Sequence, residues 1–399
     1  MNTGGCKKYN IICFGFLPWS NMWKRNQSMM AEIAKSEYVN KVIFINPLVS
    51  VRRYLKLGDD RKEACVHYFQ TPIPFSVAPG VVVYTPVNIL PYKKYLSPFK
   101  KTGINIMLHV IKCLNSGTPY ILFMNCPNIF SQDLLDKLLE RSALSIFDFS
   151  DDFSELNLNR ETTQEYERNI FKYAKAAGIV LTVNDHIKNK YGNLNSNIHV
   201  LRNATNYDNF DRQEYKSVGV MDTIKDMRKP IIGYSGLANL SRIDAELLDF
   251  LMYERPDWQF VFVGPAKPNF LERYSSKGNF HFIPPVNYEV LPDYIRYFDT
   301  AIVPFKINEH TLGNDLLKLH DYLAMGKPIV STDIGGAKDL EHVVRVSSDN
   351  HNFLQNIEES LSCDTPDAIL KRKQIAYQNS WKVRIKELDL LVKSDLYRN

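Results

Sequence analysis

The chain has 399 residues, of which 45% are hydrophobic and 23% charged, and its formal net charge is +5. This length exceeds the usual size of one hydrophobic core, so we expect two domains of about 150 to 200 residues each, with a cleft between them. No apolar run of 18 residues is present, which argues against an integral membrane protein, and the modest, spread-out positive charge gives no support for nucleic acid binding.

The N-terminal residues and the cysteines predict a cytoplasmic protein. Residues 1–10 carry two lysines, but Gly15 and Pro18 interrupt the short apolar stretch that follows, unlike in a signal peptide. The six cysteines are scattered, without a CxxC pair or a histidine cluster nearby. Neither a disulfide framework nor a zinc site is therefore predicted.

One group of basic and aromatic residues could contact an anionic membrane surface. Its members are Lys93, Lys94, Lys100, Lys101, Tyr92, Tyr95 and Phe99. The alternative is an ordinary solvated face with snorkelling aromatic side chains. The first interpretation would place the protein peripherally at the inner face of the cell membrane.

Short, β-rich apolar runs alternate with longer amphipathic segments, a pattern typical of parallel sheets covered by helices. Predicted strands of the first half are 9–14, 41–45, 81–84, 120–124, 145–149 and 178–183. The polar stretch 206–229 is predicted to be an interdomain linker. Strands then resume at 230–235, 259–264, 280–283, 300–304, 328–332 and 343–346. Two doubly wound domains follow, with ligands expected at the carboxyl ends of the strands.

Polar side chains follow two predicted strands of the first half. Asn125 comes directly after one strand, and Asp148, Asp151 and Asp152 come at the end of the next. Such groups are expected to face the cleft, where one could orient an acceptor hydroxyl or act as a base. Asn125, Asp148 and Asp151 are thus catalytic candidates. The alternative is that these residues cap the helix that follows.

A helical face in the second half carries Lys318, Asp321 and Tyr322, which fall at i, i+3 and i+4. If Asn314 or Thr311 caps this helix, its first free N–H groups favour an anion such as a diphosphate.

The N–H groups concerned are those near Leu316 and Leu317. Lys318 would add a positive charge, and the Asp321 carboxylate could accept hydrogen bonds from ribose hydroxyls. An acid in the first turn, Asp315, would face the anion unless it points to solvent. The alternative is a surface helix with an intrahelical Lys–Asp pair.

This segment resembles the donor-binding helix of family 4 glycosyltransferases, which have the GT-B fold and the pattern P-L-K-x-x-E-Y-x-A-x-G-K-P-V-V-x-[ST]. The matching residues are Leu317, Lys318, Tyr322, Ala324, Gly326, Lys327, Pro328, Ile329, Val330 and Ser331. Asp321 stands where the ribose-binding Glu is usual, and Gly313 stands where many members have the first Glu of an E-x(7)-E pair.

The resemblance extends through most of the chain, with weaker motifs. In 231–244 it implies that Gly236 lets backbone approach the phosphates and that Arg242 supplies a second cation. In 279–305 it implies that residues around Pro285 and Val286 line the nucleobase. The alternatives are an exposed position before a helix for Arg242 and apolar packing for Val286.

Residues 14–36 are similar to a W-x(5)-R-x-Q pattern of bacterial members that build surface polysaccharides. The similarity implies that Gly15 faces the cleft, where a donor phosphate or an acceptor approaches, and that Trp19, Arg25 and Gln27 bind acceptor. Alternatively, Arg25 and Gln27 only cap the following helix. A histidine that often binds the transferred sugar in this family is not apparent near 147–156.

The resemblance implies an α/β protein of the GT-B fold: two Rossmann-like, doubly wound parallel-sheet domains that face a central cleft. Residues 1–205 would bind acceptor, 206–229 link, and 230–375 bind donor. Residues 376–399 would form a last helix that crosses back, after a kink at Ser380 and Trp381.

The implied activity is transfer of a sugar from a UDP- or GDP-sugar to a saccharide or lipid-linked acceptor in surface polysaccharide biosynthesis. Retention of anomeric configuration is expected by analogy, and no metal or other cofactor is expected. Three alternatives on the same fold stay open, namely a catalytically silent nucleotide-binding protein, a nucleotide-sugar epimerase and a phosphorylase.

Overall fold

A computed structural model describes residues 7–20, 23–47, 49–50, 74–88, 97–125, 132–150, 160–212, 214, 222–308, 311 and 315–397. The chain divides into two compact units. Unit 1 comprises Met1–Leu201 and Ile385–Asn399, and unit 2 comprises Arg202–Arg384.

Unit 1 is built on a parallel sheet with one antiparallel edge strand. Its strands are β1 (Tyr9–Phe14), β2 (Val39–Ile45), β3 (Val49–Ser50), β4 (Phe75–Ala78), β5 (Val81–Tyr84), β6 (Val87–Asn88), β7 (Tyr120–Met124), β8 (Leu144–Phe149), β9 (Ile179–Thr182) and β10 (Ile198–Val200). Eight of them form one sheet in the order β10-β9-β8-β7-β1-β2-β5-β4, while β3 pairs with β6. Only β4 runs antiparallel to its neighbour among these described strands.

Helices connect the strands of unit 1. They are α1 (Arg25–Ile33), α2 (Ser97–Asn115), α3 (Gln132–Leu139), α4 (Arg160–Ala176) and α5 (Asp185–Tyr191). Every residue of β1 and of β7 is buried. Strands buried in this way read as continuous apolar runs because helices cover both faces of a parallel sheet. The predicted strands of this half are therefore found, whereas the half-exposed edge strand β4 lacks such a run and was missed.

Unit 2 contains an all-parallel sheet of six strands. They are β11 (Ile231–Ser235), β12 (Gln259–Val263), β13 (Phe280–Ile283), β14 (Thr300–Val303), β15 (Ile329–Thr332) and β16 (Arg345–Ser347). The order β13-β12-β11-β14-β15-β16 reverses direction between β11 and β14. This is the doubly wound order with its topological switch point, where ligands bind in such sheets.

The helices of unit 2 surround a large apolar core. They are α6 (Tyr207–Phe210), α7 (Asp222–Lys225), α8 (Ala245–Glu254), α9 (Pro268–Tyr274), α10 (Leu291–Ile295), α11 (Leu317–Ala324), α12 (Gly335–Lys338), α13 (Asn350–Ser362) and α14 (Pro366–Gln378). The last helix, α15 (Trp381–Leu396), begins after a break at residues 379–380, which is where the kink was expected.

The polar stretch predicted to be a linker is part of unit 2 where the structure describes it. Phe210 and Ile224 are both fully buried in the core of that unit. Composition did not reveal this packing, because only these few apolar side chains anchor a polar segment.

None of the described helices combines the length and the apolar composition that crossing a bilayer requires. Lys93, Lys94, Tyr92 and Tyr95 lie outside the described residues, and so do the side chains of Phe99, Lys100 and Lys101. Their membrane contact stays a prediction.

Candidate active site

The candidate site lies in unit 2, at the switch point between β11 and β14. The turn after β11 carries Gly236 and Arg242, and the turn after β14 carries Phe305. The two turns are held together, because Lys306 N–H donates to the Arg242 carbonyl oxygen at 2.8 Å. Helix α11 brings Lys318 to the same place.

The ammonium group of Lys318 is surrounded by neutral groups. Its Nζ donates to the Tyr234 hydroxyl at 2.8 Å and lies 4.1 Å from the centre of the Tyr234 ring and 4.6 Å from that of Phe305. Ring faces attract a cation, but they do not neutralise it. Among the residues that the structure describes, no carboxylate forms a salt bridge with Lys318.

Arg242 supplies a second positive charge that acts on Lys318. Burial removes water from the Lys318 ammonium and, together with the positive charge of Arg242, holds the pKa of Lys318 well below its usual range. The charge of Asp321 offsets part of this effect. Arg242 is partly buried, so the interpretation as an exposed residue before a helix does not describe it. Arg242 is thus near enough for its charge to act on Lys318, and an anion bound there would favour the charged form of the lysine.

Two glycines leave room beside this pair of cations. Gly236 has φ +129°, and a Cβ on it would lie 3.0 Å from the Lys318 Nζ. Gly264 has φ +133°, and a Cβ there would lie 2.7 Å from the Gly236 carbonyl oxygen. Residues other than glycine rarely adopt these φ angles, so the close approach of the turns after β11 and β12 requires glycine at both positions.

A buried tyrosine fixes α11 against β11. The Tyr322 hydroxyl accepts the Ser235 backbone N–H at 2.6 Å and lies 3.0 Å from the Ser235 Oγ. The start of the turn that holds Gly236 is thereby tied to the helix that holds Lys318.

Asp321 is a buried carboxyl with protein partners of its own. Its Oδ1 accepts the Thr205 hydroxyl at 2.7 Å and the Tyr288 hydroxyl at 3.2 Å, and the residue is 5% exposed. Burial raises the pKa of Asp321 to about 7, although these two hydrogen bonds and the charges of His320 and Lys318 act in the opposite direction. An intrahelical Lys–Asp salt bridge, the alternative interpretation, is not formed by Lys318 and Asp321.

The start of α11 differs from the expectation. Leu316 is the N-cap, without a side-chain cap, so the N–H groups of Leu317 and Lys318 belong to the first turn. Thr311 does not cap the helix, because Leu316 is the N-cap and the Thr311 hydroxyl oxygen accepts the Asn308 N–H at 2.9 Å. Asn314 and Gly313 lie outside the described residues.

The Asp315 side chain does not point to solvent, because it is buried among partners of unit 2. Its carboxylate accepts the Asn203 backbone N–H at 2.6 Å and lies 3.4 Å from the His320 Nε2. Burial raises the pKa of Asp315, but the hydrogen bond and charge of His320, the Asn203 N–H and the Arg202 charge lower it further, so the net shift is downward. These neighbours satisfy the carboxylate, which removes the conflict with an anion at the helix start.

The second lysine of the motif has a structural role. Lys327 donates to the carbonyl oxygens of Arg296 at 2.6 Å and Phe298 at 2.8 Å. Burial is the main reason why the pKa of Lys327 is lowered to about 8. It holds the chain between α10 and β14, so its charge is not free for a ligand.

The nucleobase position stays a prediction. Val286 follows the carboxyl end of β13, next to the exposed Pro285, and is itself partly buried against the core of unit 2. Apolar packing therefore accounts for part of its surface.

In unit 1, three of the predicted residues join a buried network at the ends of β1, β7 and β8. Arg25 binds both carboxylate oxygens of Asp148, with Nη2 at 2.7 Å and Nε at 3.1 Å. Asn125 donates to Asp148 at 2.9 Å and lies 3.1 Å from the Cys13 Sγ. Burial, with a smaller contribution from Asp148, raises the pKa of the Cys13 thiol.

This network argues against Asp148 as a freely available base, because the residue is fully buried and both of its oxygens are occupied. Arg25 is 4% exposed, so its acceptor role would require a ligand to reach past its partners. Asp151 and Asp152 lie outside the described residues, and the catalytic role of Asp151 stays a prediction.

The loop after β1 is largely occupied by packing and capping. A Cβ on Gly15 would lie 2.2 Å from the Phe44 ring, and the Gly15 N–H donates to the Ile45 carbonyl oxygen at 3.0 Å. This N–H is thus unavailable to a phosphate. Gln27 accepts the Lys24 N–H at 3.1 Å and donates to the Pro18 carbonyl oxygen at 2.8 Å, which supports the capping interpretation.

Trp19 keeps surface that a ligand could contact. Its ring packs edge-on against Phe44, with centroids 5.1 Å apart, and against Trp23 at 5.8 Å, and it is only partly buried. Its acceptor role stays a prediction.

Four residues of the site were missed from the sequence: Tyr234, Phe305, Thr205 and Tyr288. Each contacts Lys318 or Asp321 through a hydroxyl or a ring face. Spacing along one helix gives no signal for them, because they come from other strands and turns.

Comparison with known proteins assigns the family of this site. Residues 238–362 match the family described as glycosyl transferases group 1. Residues 238–362 thus carry a group 1 glycosyltransferase domain, in agreement with the resemblance predicted from the sequence. The matched segment includes Arg242, Lys318 and Asp321.

One curated relative is TuaH of Bacillus subtilis strain 168, which is assigned to teichuronic acid biosynthesis as a glycosyltransferase. It is 22% identical over 199 residues, which are 48% of this chain and 49% of the relative. The chain thus matches about half the length of that protein.

Solved structures share the fold over nearly the whole chain. Sucrose-phosphate synthase from Thermosynechococcus elongatus has a TM-score of 0.66 at 14% identity, covering 98% of this chain and 100% of its own. Anabaena HepE, in complex with UDP and glucose, has a TM-score of 0.62 at 12% identity, with 97% and 100% covered. A Listeria monocytogenes protein assigned as UDP-N-acetylglucosamine 2-epimerase has 0.59 at 13%, with 98% of both covered. These likenesses confirm the GT-B fold.

Within the described ranges, no three His, Cys, Asp or Glu side chains group as a metal site would require. The expectation that no metal is needed stays a prediction.

Proposed function

We propose that the protein transfers a sugar from a nucleotide diphosphate sugar to a saccharide or lipid-linked acceptor. Unit 2 binds the donor at the carboxyl ends of β11 and β14, where Lys318 and Arg242 hold the diphosphate. The observation that carries the proposal is the Lys318 ammonium, which lies among neutral groups next to a second cation.

The departing diphosphate needs positive groups that are in place before the reaction begins. Charged hydrogen bonds aimed at developing charge, in a site with little water, are among the largest contributions to catalysis. Lys318 is fixed by Tyr234, and the first-turn N–H groups of α11, including that of Leu317, add to the same field. The chain's own cations and N–H groups thus replace a metal in this account.

A structural role for Lys318 fits less well than it does for Lys327. Lys327 has two carbonyl acceptors that use its charge, whereas Lys318 has one neutral hydroxyl and two ring faces. An unneutralised, desolvated cation costs stability unless a ligand supplies the opposite charge. The difference between the two lysines therefore favours a ligand site at Lys318.

The relatives support the class of acceptor and the class of nucleotide in this proposal. The likeness to TuaH supports an acceptor in bacterial surface polysaccharide biosynthesis, and the UDP in the HepE complex supports a uridine or related nucleotide. We propose retention of anomeric configuration by analogy with the family. A cytoplasmic location, at the inner face of the membrane, fits such an acceptor.

Nucleotide binding by Lys318→Gln tests the donor site. Isothermal titration with UDP, GDP and ADP should show binding of at least one nucleotide to the unaltered chain. The glutamine variant should bind it about 10- to 100-fold more weakly, since a charged hydrogen bond is lost. Its melting temperature without nucleotide should not fall, because the substitution removes a desolvated charge.

Lys371→Gln is the matched control. Lys371 is exposed on α14 of the same unit, and its Nζ lies 3.4 Å from a backbone carbonyl oxygen. This variant should bind nucleotide like the unaltered chain. Equal affinity of Lys318→Gln and the unaltered chain would overturn the proposed site.

A further inference from the structure

Two hydroxyl groups converge on one oxygen of Asp321. Thr205 is fully buried and donates to Oδ1 at 2.7 Å, and Tyr288 donates to the same atom at 3.2 Å. The two come from separate parts of unit 2, since Thr205 precedes α6 and Tyr288 follows β13.

Tyr288 is held in place by its hydroxyl, its ring and its backbone. The hydroxyl donates to Asp321 Oδ1. The ring packs against Phe210 with centroids 5.4 Å apart, and the Tyr288 carbonyl oxygen accepts the Asn209 side chain at 3.2 Å. Tyr288 is thus held at its ring, its hydroxyl and its backbone.

Thr205 is held by its backbone. Its N–H donates to the Asn379 carbonyl oxygen at 3.1 Å, and its carbonyl oxygen accepts the Trp381 N–H at 3.0 Å. The threonine hydroxyl therefore has little freedom to follow a moving carboxylate.

The other carboxylate oxygen, Oδ2, is left open. Within the part of the chain that the structure describes, Oδ2 makes no hydrogen bond, and it does not belong to the buried polar atoms that lack a partner. Solvent therefore reaches Oδ2, although Asp321 as a whole is only 5% exposed.

We propose that Thr205 and Tyr288 are positioning residues, which hold Oδ1 of Asp321 and thereby aim Oδ2 at a hydroxyl group of the nucleotide ribose. This inference rests on the proposed function, because the ribose belongs to the nucleotide that Lys318 binds. Lys318 and Asp321 lie on one face of α11.

Positioning matters here because the acid is an aspartate. Its carboxylate lies one methylene closer to the helix than that of a glutamate, so it has less reach toward a ligand. A carboxylate whose plane is already fixed loses less freedom when the ligand binds, and such outer partners are known to tune the groups that they orient.

The same contacts influence the charge of Asp321. Burial disfavours its carboxylate form, whereas Thr205, Tyr288 and the charges of His320 and Lys318 favour it. Losing either hydroxyl should therefore raise the pKa of Asp321 further, so that a higher pH is needed before Oδ2 accepts a ribose hydroxyl. The neighbouring Tyr322 is a neutral phenol whose pKa is itself raised by burial.

The test compares ribose with dideoxyribose. Dissociation constants for UDP and 2′,3′-dideoxy-UDP, and for the matching guanosine pair, are measured from about pH 6 to pH 9. The ratio of the two constants isolates the ribose hydroxyls, since both nucleotides carry the same phosphates, whose terminal group titrates near pH 6. The variants are Thr205→Val and Tyr288→Phe.

Two matched controls remove a similar hydroxyl elsewhere in unit 2. Thr300→Val removes a buried hydroxyl that lies 2.7 Å from Ser360 Oγ, and Tyr207→Phe removes a tyrosine bond of 2.7 Å to Asp211. A general loss of packing would affect these variants and the test variants alike.

We expect the unaltered chain to bind the ribonucleotide more tightly than the dideoxyribonucleotide, and Asp321→Asn should lose most of this preference. Thr205→Val and Tyr288→Phe should each lower the preference about three- to tenfold. They should also raise the pH below which the preference is lost. The controls should keep both features. An unchanged ratio and midpoint in both test variants, with nucleotide still bound, would overturn the inference alone. If no nucleotide binds to the unaltered chain, the proposed function is overturned together with it.

Discussion

Asp321 shows how burial at a single residue controls the charge available to a ligand. Its carboxyl has two hydrogen bonds and lies near two basic side chains, yet burial raises its pKa to about 7. The ionised form therefore costs free energy that the fold must offset. A ribose hydroxyl at Oδ2 would offset part of that cost by adding a hydrogen bond to the charged form.

The pH dependence of stability follows from this shift. The folded protein holds the Asp321 proton more tightly than the unfolded chain, whose aspartates titrate near pH 4. The stabilisation that results is complete below about pH 4 and is lost as the pH rises through about 7. Relative to Asp321→Asn, the free energy of unfolding should fall by up to about 1.4 kcal/mol per pH unit between about pH 5 and pH 7.

Urea denaturation of both proteins at a series of pH values measures this difference. Asp257→Asn, at an exposed aspartate of the same unit, should parallel the unaltered chain. A constant difference between Asp321→Asn and the unaltered chain across this range would show that Asp321 keeps an ordinary pKa.

Single residues of the site were partly predictable from the sequence. Lys318, Asp321 and Gly236 belong to motifs that are visible in the sequence. The structure places Lys318 next to Gly236. Tyr288 and Thr205 were missed because their contacts with Asp321 depend on tertiary packing. For Asp148, the position at a strand end was visible in the sequence but its buried partner Arg25 was not, and its catalytic role stays a prediction.

At the scale of elements, the ends of parallel strands determine where the site forms. The buried strands were predictable because both faces are apolar, and the edge strands were less so because they are short or half-exposed. Turn geometry was predictable only where glycine marks it. Gly236 and Gly264 show this, since their positive φ angles allow the turns after β11 and β12 to touch.

Alanine at these glycines should separate strain from function. Gly264→Ala should destabilise unit 2 most, by about 2–4 kcal/mol, because its Cβ would meet the rigid backbone of Gly236 at 2.7 Å. Gly236→Ala should cost about 1–3 kcal/mol and also weaken nucleotide binding, because its Cβ would crowd the Lys318 ammonium at 3.0 Å.

Gly278→Ala is the matched control for this series. No heavy atom lies within 4 Å of the position that a Cβ on Gly278 would take, and its φ is not in the left-handed range. Denaturation curves and nucleotide titrations of the three variants measure both effects. Equal stability of all three would contradict the role assigned to the turns.

At the scale of the whole molecule, the sequence predicted two doubly wound domains, because two series of buried strands alternate with helices, and the resemblance to family 4 glycosyltransferases implied the GT-B fold. The exact boundaries of the units were harder to predict from the sequence. Residues that compose a polar stretch, such as 206–212, belong to unit 2 through a few buried side chains, among them Phe210. Which acceptor the protein uses depends on surfaces that neither spacing nor strand pattern describes.

The most direct test of the account is release of nucleoside diphosphate from UDP- and GDP-sugars by the intact chain, measured with and without saccharide and lipid-linked acceptors. We expect release from one nucleotide class, faster with an acceptor, with the sugar recovered on that acceptor. Lys318→Gln should abolish release, and Lys371→Gln should keep it. Conversion of the nucleotide sugar into an epimer without release, or tight nucleotide binding without any turnover, would contradict the account.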